Sequence, residues 1–163
     1  MLLLSRRKLV FGSLVAVAAI GTVRAAPKAE TSPVNVLAGD RLAIHGYDPV
    51  AYFVDSGPRK GRADLVHEHG GAVWRFANEA NRRRFRDDPA RYTPVYGGYC
   101  AYGVAQGYLV KIDPEAWSIV DGRLYLNYDL SVRATWLENV RGFVEQANTN
   151  FPRLVPGAQR MGS

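Results

Sequence analysis

Three side chains in this sequence are of the kinds that hold metal ions or carry out chemistry near neutral pH. His67 and His69 stand two residues apart, and Cys100 is the only cysteine. Imidazole and thiolate are favoured ligands of zinc and copper, and side chains at positions i and i+2 of a strand project from the same face. The sequence therefore predicts a metal site for copper or zinc with His67, His69 and Cys100 as the ligands.

Each of these residues also has an explanation that involves no chemistry. A histidine beside an aromatic residue, as His67 and His69 are beside Trp74, usually packs with its polar end satisfied. Cys100 lies in the glycine- and tyrosine-rich segment YGGYCAYGVAQG, residues 96–107, where a small apolar side chain fits between closely approaching backbones. A thiol nucleophile needs a nearby base, and all three histidines precede Cys100 in the chain. Packing, metal binding and covalent chemistry therefore remain the alternatives for the thiol, and an enzyme is not the expected class.

A β-hairpin is predicted to carry the two histidines. Apolar and polar residues alternate on both sides of Gly70-Gly71, which is typical of two strands joined by a two-residue loop. A second hairpin is predicted around Asp121-Gly122, within residues 117–128, because Asp-Gly is one of the strongest turn signals. In the first hairpin the expected cross-strand pairs, whose side chains share one face, are His69 with Ala72, His67 with Trp74, and Leu65 with Phe76.

Helices are predicted around both hairpins. Asn78 has the N-cap position of a helix that buries Phe85 and stops near Asp88-Pro89, since the residue before a proline disfavours helix. Further helical segments are expected from Asp48-Pro49, over residues 99–104, from Asp113-Pro114 and, as a C-terminal amphipathic helix, over about residues 129–148. The predicted fold is α+β, with a small antiparallel sheet from two β-hairpins packed with several helices, including the C-terminal amphipathic helix. No internal repeat is expected.

The N-terminus has the composition of an export signal. A basic stretch precedes the apolar residues 12–23, and Val23-Arg24-Ala25 fits the small-x-small rule for cleavage. Ser5-Arg6-Arg7 resembles the start of a twin-arginine signal. Because the apolar stretch is too short for a convincing membrane span, residues 1–25 are predicted to be a cleaved twin-arginine-type signal peptide, with an uncleaved anchor as the alternative. The mature protein is expected to be periplasmic or secreted, with no stable membrane span.

Removal of the signal changes the charge of the protein. It takes away four of the 21 basic residues and none of the 15 acidic ones, which lowers the net charge from +6 to +2. So small a charge gives no case for a nucleic-acid partner, and the arginine cluster at residues 82–86 is expected to be a solvated helix face. The mature chain is divided into a linker over residues 26–40, one domain over residues 41–154 and a flexible tail over residues 155–163.

Five segments of the mature chain, taken together, resemble the longer, exported form of the YHS domain family. They are GYDPVAYF, VWRFANEANRRRF, DPARYTPVYGGYCAYGVAQG, KIDPEAW and DGRLYLNYD, and the likeness covers roughly residues 42–151. The short YHS domain occurs in copper-transporting ATPases and some oxygenases and is associated with metal binding through paired cysteines. Both usual cysteine positions hold alanine in this chain, Ala51 and Ala77, whereas His69 matches the histidine of the family and Asn78 stands where serine is common. The resemblance therefore implies the fold but not the cysteine site.

Two functions of different classes are predicted for the exported domain. The first is a metal-binding module for copper or zinc that serves storage, delivery or sensing through the three ligands named above. The second is a metal-free module that binds a small molecule or a protein partner through the aromatic surface around residues 96–102. The expected partners are thus a metal ion, a small ligand or an unspecified protein.

Overall fold

The computed structural model of the chain describes residues 33–36 and 40–155. The predicted signal peptide over residues 1–25, most of the predicted linker and residues 156–163 of the predicted tail lie outside the described residues. None of the helices in the described part is long and apolar enough to cross a membrane.

Two β-hairpins and six helices make up the described chain, which confirms the predicted α+β class. The hairpins are β1 (Arg62–His69) with β2 (Ala72–Phe76), and β3 (Asp113–Val120) with β4 (Arg123–Asn127). The helices are α1 (Ala51–Val54), α2 (Glu79–Asp87), α3 (Pro89–Tyr92), α4 (Ala101–Ala105), α5 (Leu130–Glu138) and α6 (Val140–Leu154). Two short 3-10 turns precede α1 and α4, at Ile44–Gly46 and Val95–Gly98.

The first hairpin has the predicted loop and only part of the predicted register. The pairs next to the loop agree with the prediction, namely His69 with Ala72 and His67 with Trp74. The third predicted pair, Leu65 with Phe76, is wrong, because a shift in register places Arg62 opposite Phe76. A bulge of this kind adds residues to one strand without changing its partner, and nothing in the alternating pattern signals it.

The second hairpin is longer than predicted. Its Asp121-Gly122 loop is present, with positive φ at both residues, the geometry of a type I′ turn. The helical segment predicted from Asp113-Pro114 is wrong, because these residues begin β3. Pro114 is tolerated there because a register shift between Asp113 and Trp117 interrupts the ladder where its missing N–H would otherwise be needed.

The two hairpins form separate two-stranded sheets and do not share the single sheet that the pattern predicts. A loop segment occupies the outer edge of β2, where Ala43 N–H donates to Val73 O at 2.9 Å and Val73 N–H donates to Arg41 O at 2.8 Å. On the other hairpin, Cys100 forms a parallel bridge with Leu126 of β4. Because loop segments fill these edges, β2 and β4 cannot pair with each other.

Side-chain caps fix the beginnings of the helices. Asn78 Oδ1 accepts a hydrogen bond from a backbone N–H at 2.9 Å where α2 begins, as predicted, and Asp129 caps α5 in the same way at 2.8 Å. The single helix predicted over residues 129–148 is wrong. Asn139 has non-helical backbone angles, and its Oδ1 accepts a hydrogen bond from Gly142 N–H to begin α6. Asparagine and aspartate are among the strongest N-caps, so a cap inside a periodic pattern starts a second helix.

The elements occur twice in the same order at a spacing of about 50 residues. In the first half, residues 44–92, and in the second half, residues 96–154, a left-handed turn is followed by a short helix, a hairpin, a capped helix and a further helix. Asp88 and Asn139 are equivalent caps that begin the last helix of each half. This repeat lies in the order of the elements and not in the sequence, for which no internal repeat is predicted.

Each half has one buried aromatic pair of the same geometry. In the first half Trp74 packs against Phe85, and in the second Tyr125 packs against Trp136. Both pairs have ring centroids 5.1 Å apart and ring planes inclined by 36°. The pairs belong to two different hydrophobic clusters, and the cluster of the first pair also includes Leu124 and Leu126 of β4, so the second hairpin contributes to both.

Residues 33–36, which lie in the predicted linker, pack against the second half. Asn35 N–H donates to Gly97 O at 2.9 Å, and Asn35 Nδ2 donates to Gly98 O at 3.0 Å. The side chain of Val34 is fully buried. This attachment places Pro33 beside the left-handed turn that contains Gly97.

Candidate ligand-binding site

His67 and His69 lie on one face of β1, as the alternation of the strand predicts. Both imidazole rings contact Phe85 of α2 edge-on, with ring centroids 6.0 Å and 5.8 Å from the phenyl ring. Both side chains are half-buried. The Gly70-Gly71 loop fixes the register directly beside them, since both glycines take the positive φ that a tight hairpin requires.

A hydrogen bond to its backbone fixes the position of His69, and burial of its ring sets its protonation state. Its carbonyl oxygen accepts a hydrogen bond from Trp74 Nε1 at 3.1 Å. Burial lowers the pKa of the His69 imidazole, and the neighbouring His67 lowers it further. The His69 ring is therefore neutral at neutral pH, the form that exchanges hydrogen bonds with a ligand or binds a metal ion.

Cys100 stands at the N-cap of α4 beside the end of β4 and is only 1% exposed. Its Sγ accepts a hydrogen bond from Gly103 N–H at 3.3 Å and donates to Asn127 Oδ1 at 3.7 Å. Burial raises the pKa of the Cys100 thiol, and hydrogen bonds from nearby backbone groups offset only part of that effect. The thiol is therefore protonated at neutral pH and acts as a helix cap.

The equivalent position in the first half supports this assignment. Asp48 precedes α1 as Cys100 precedes α4, and its carboxylate is fully buried. The carboxylate accepts four hydrogen bonds, from the N–H groups of Val50 (2.8 Å), Ala51 (3.3 Å) and Ala77 (2.9 Å) and from Asn81 Nδ2 (2.7 Å). In both halves this residue ties a short helix to the end of its hairpin, and the packing explanation for Cys100 thus has a geometric basis.

The structure groups His67 with His69 but does not add Cys100 to them. Within the described part of the chain, no group of three or more His, Cys, Asp and Glu side chains is placed to hold a metal ion. The hydrogen bonds of the thiol go to α4 and β4 instead. The three-ligand metal site therefore stays a prediction that this geometry does not support.

A cavity of about 410 Å³ lies beside His69, between the two halves, and is called the His69 cavity below. The polar side chains that line it are His69, Thr93, Tyr96, Arg123 and Asn148. Its apolar wall is formed by Pro33, Ala90, Pro94, Val95 and Phe151. Its volume falls in the range of about 300–1,000 Å³ that is typical of small-molecule sites.

Tyr96 connects the cavity wall to α6. Its hydroxyl lies 3.1 Å from Asn148 Oδ1 and 3.3 Å from Val144 O, and its ring centroid lies 5.4 Å from that of Phe151. Burial raises the pKa of Tyr96, so the hydroxyl stays protonated and donates. Tyr96 has a φ of 58° and Gly97 a φ of 63°, and this left-handed turn fixes the side chain of Tyr96 toward α6.

Two polar groups of the cavity, both on exposed side chains, form no hydrogen bond with any described residue. The guanidinium of Arg123 forms no hydrogen bond or ion pair with any described residue, and Asn148 uses its Oδ1 for Tyr96 but not its Nδ2. No aspartate or glutamate is among the described residues that line the cavity. Since His69 is neutral, Arg123 is the only charged side chain at neutral pH among the described residues that line the cavity. This set of groups is suited to binding a polar or anionic molecule with an apolar part.

Only some of the polar residues that line the cavity could be predicted from the sequence. Tyr96 lies in the aromatic segment that was one candidate binding surface, and His69 is a predicted metal ligand. Arg123 and Asn148 carry no sequence signal, because their approach to Tyr96 depends on how α6 and the second hairpin pack. The Asp121-Gly122 turn predicts that Arg123 begins the second strand of the hairpin. It does not predict which residues the Arg123 side chain faces.

Comparison of the chain with models of protein families, with curated proteins and with solved structures produced no match. The likeness to the YHS domain family thus remains a resemblance carried by the residues, and the function is inferred from the geometry of the site.

Proposed function

We propose that the chain is an exported YHS-like domain protein that serves as a small-molecule-binding module, with the His69 cavity as its binding site. The single observation that carries this proposal is the cavity itself. It joins aromatic and aliphatic walls to several convergent polar groups at the junction of the two halves. Small-molecule sites in proteins have this composition and prefer such junctions.

The cavity wall is held in place by contacts on several sides. Asn35 bonds to Gly97 and Gly98 on one side of the left-handed turn, and Tyr96 bonds to α6 on the other. Walls that are fixed before binding lose little conformational freedom when a ligand enters, which favours affinity. An exported module that only binds and releases a small molecule needs no catalytic residues.

A variant that fills the cavity tests the proposal. Ala90 lies on α3, is exposed and lines the cavity, so an Ala90→Trp substitution occupies the space without disturbing the interior. Ala134→Trp on α5 is the matched control, because Ala134 is also an exposed helical alanine and does not line the cavity. The measurement is ligand-observed NMR with a panel of small organic acids and their neutral amides.

The parent protein and the Ala134→Trp variant are expected to bind members of the panel, and the Ala90→Trp variant to bind them about tenfold more weakly or not at all. Circular dichroism and melting temperature establish that all three proteins are folded. Equal binding by all three proteins, or no binding by the folded parent, would overturn the proposal.

Metal binding is the second candidate, and the specific observation in its favour is the pair His67 and His69. Two imidazoles on one strand face fit copper or zinc as two of its ligands, and the remaining positions would be filled by solvent or a partner. Titration with Cu²⁺ and Zn²⁺, followed by calorimetry, tests this candidate. Loss of binding in His67→Ala/His69→Ala with retention in Cys100→Ser supports a two-histidine site, loss in both variants supports the predicted three-ligand site, and no binding by the parent removes the candidate.

A further inference from the structure

The charge balance around the His69 cavity points to the class of its ligand. Elsewhere in the described chain several arginines pair with a carboxylate, as Arg59 does with Asp55 at 2.6 Å and Arg62 does with Asp64 at 2.6 Å, and others, such as Arg91 and Arg153, do not. Arg123 has no such partner among the described residues. Its side chain lines the cavity, so its unpaired charge is available to a molecule that enters.

Arg123 and Tyr96 both line the cavity. The positive charge of Arg123 opposes part of the rise that burial causes in the pKa of Tyr96. The Tyr96 hydroxyl bonds to Asn148, whose Nδ2 has no bond to any other described residue. A guanidinium and an amide N–H therefore border the same space, and both are hydrogen-bond donors.

We infer that the ligand of the His69 cavity is a small organic monocarboxylate with an apolar body, whose carboxylate is bound by Arg123. This inference rests on the proposed function and specifies its ligand. Guanidinium and carboxylate match in geometry and form charge-assisted hydrogen bonds. A single formal cation balances a single negative charge, whereas a phosphate dianion would need a second one.

The apolar residues that line the cavity determine the other end of the ligand. Phe151, Pro94 and Val95 present apolar surface, and the cavity volume of about 410 Å³ exceeds what a carboxylate fills. Burial of an aromatic or short aliphatic body against these side chains supplies hydrophobic binding free energy. The ligand class is therefore arylacetic or short-chain fatty acids, in contrast to inorganic anions.

Pairs of isosteric probes separate the charge from the shape of the ligand. The probes are phenylacetate with phenylacetamide, hexanoate with hexanamide, and inorganic phosphate. The proteins are the parent, Arg123→Gln, Arg123→Lys and the control Arg153→Gln, which removes the same charge from an exposed position on α6 that does not line the cavity. Affinity is measured from the movement of backbone amide signals of residues 93–97, other than Pro94, which has no N–H, in ¹⁵N-edited NMR spectra.

In the parent each acid is expected to bind about tenfold more tightly than its amide, the ratio that one charge-assisted hydrogen bond produces. Arg123→Gln should abolish this preference and leave amide binding unchanged, and Arg123→Lys should restore part of it. Arg153→Gln should behave as the parent. Added salt should weaken acid binding only.

Other results would overturn the inference in distinguishable ways. If amides bind as tightly as acids, the cavity is a binding site, the proposed function stands and the monocarboxylate assignment is wrong. If phosphate binds as tightly as the organic acids, the site is one for inorganic anions and the assignment is also wrong. If neither acids nor amides move the signals of residues 93–97, the proposed function fails together with the inference.

Discussion

Cys100 and Asp48 have equivalent positions in the two halves, although one side chain is a thiol and the other a carboxylate. Each residue precedes a short helix and connects it to the end of the neighbouring hairpin. Asp48 does so with a carboxylate that accepts four hydrogen bonds, and Cys100 with a buried neutral thiol whose bonds are fewer and longer. The lone cysteine of the chain thus has a structural role that requires no thiolate.

Phe85 is the residue on which the histidine face of the first half depends. Its ring is fully buried and contacts His67, His69 and Trp74. Phe85→Ala is expected to lower the free energy of unfolding by about 3–5 kcal/mol, because it removes a large buried ring and leaves a cavity. Urea denaturation measures this loss. Leu130→Ala, at a position that is 58% exposed, should change stability by about 0.5 kcal/mol or less, and similar losses in both variants would contradict the assignment.

His45 makes stability depend on pH in a definite direction. Burial lowers the pKa of His45 below its usual 6.5, Lys111 lowers it further and Asp113 opposes them. Below that value the unfolded chain binds more protons at this residue than the folded chain, so stability falls as the pH drops from about 6.5. His45→Asn, which suits the positive φ of 55°, should make this fall shallower. Denaturation midpoints between about pH 7 and pH 5 test it, and identical pH profiles for the two proteins would contradict it.

At the scale of elements, the turn and cap residues could be predicted from the sequence. The register shifts in the strands and the break between α5 and α6 could not. Gly70-Gly71 and Asp121-Gly122 specify hairpin loops through the positive φ that they tolerate, and Asn78 specifies the start of α2. The register shifts in β1 and β3 leave no mark on the alternation of apolar and polar residues. Asn139 divides the C-terminal helical pattern because its side chain caps α6, although the apolar spacing continues through it.

The attachment of residues 33–36 depends on Gly97. A Cβ at Gly97 would collide with the carbonyl oxygen of Pro33, and its φ of +63° is also one that side chains rarely adopt. Gly71→Ala is the matched control, because it has a φ of +76° but open space around it. Gly97→Ala is therefore expected to destabilise the protein by about 1–3 kcal/mol more than Gly71→Ala.

Hydrogen exchange gives a local test of the same substitution. The amide of Asn35, which donates to Gly97 O, should lose protection in Gly97→Ala and keep it in Gly71→Ala. Unchanged protection of Asn35 in Gly97→Ala would show that the segment does not depend on this contact.

At the scale of the whole molecule, the repeat explains where the binding site lies. Two halves with equivalent elements each bury their own aromatic pair, and the His69 cavity lies where they meet. The halves share few residue identities. The repeat is therefore visible in the order of turns, caps and hairpins and not in the residue types. For the same reason His69 and Tyr96 could be singled out as candidates, whereas Arg123 and Asn148 required the packed structure.

The central claim is that the His69 cavity binds a small molecule. The most direct measurement is the map of backbone amide shifts on addition of phenylacetate or phenylacetamide to the ¹⁵N-labelled parent protein. If the cavity is the binding site, the signals that move saturably are those of Thr93, residues 95–97, His69, Arg123, Asn148 and Phe151, all of which line it. Saturable movement confined to other surfaces, or no movement with either probe, would contradict it.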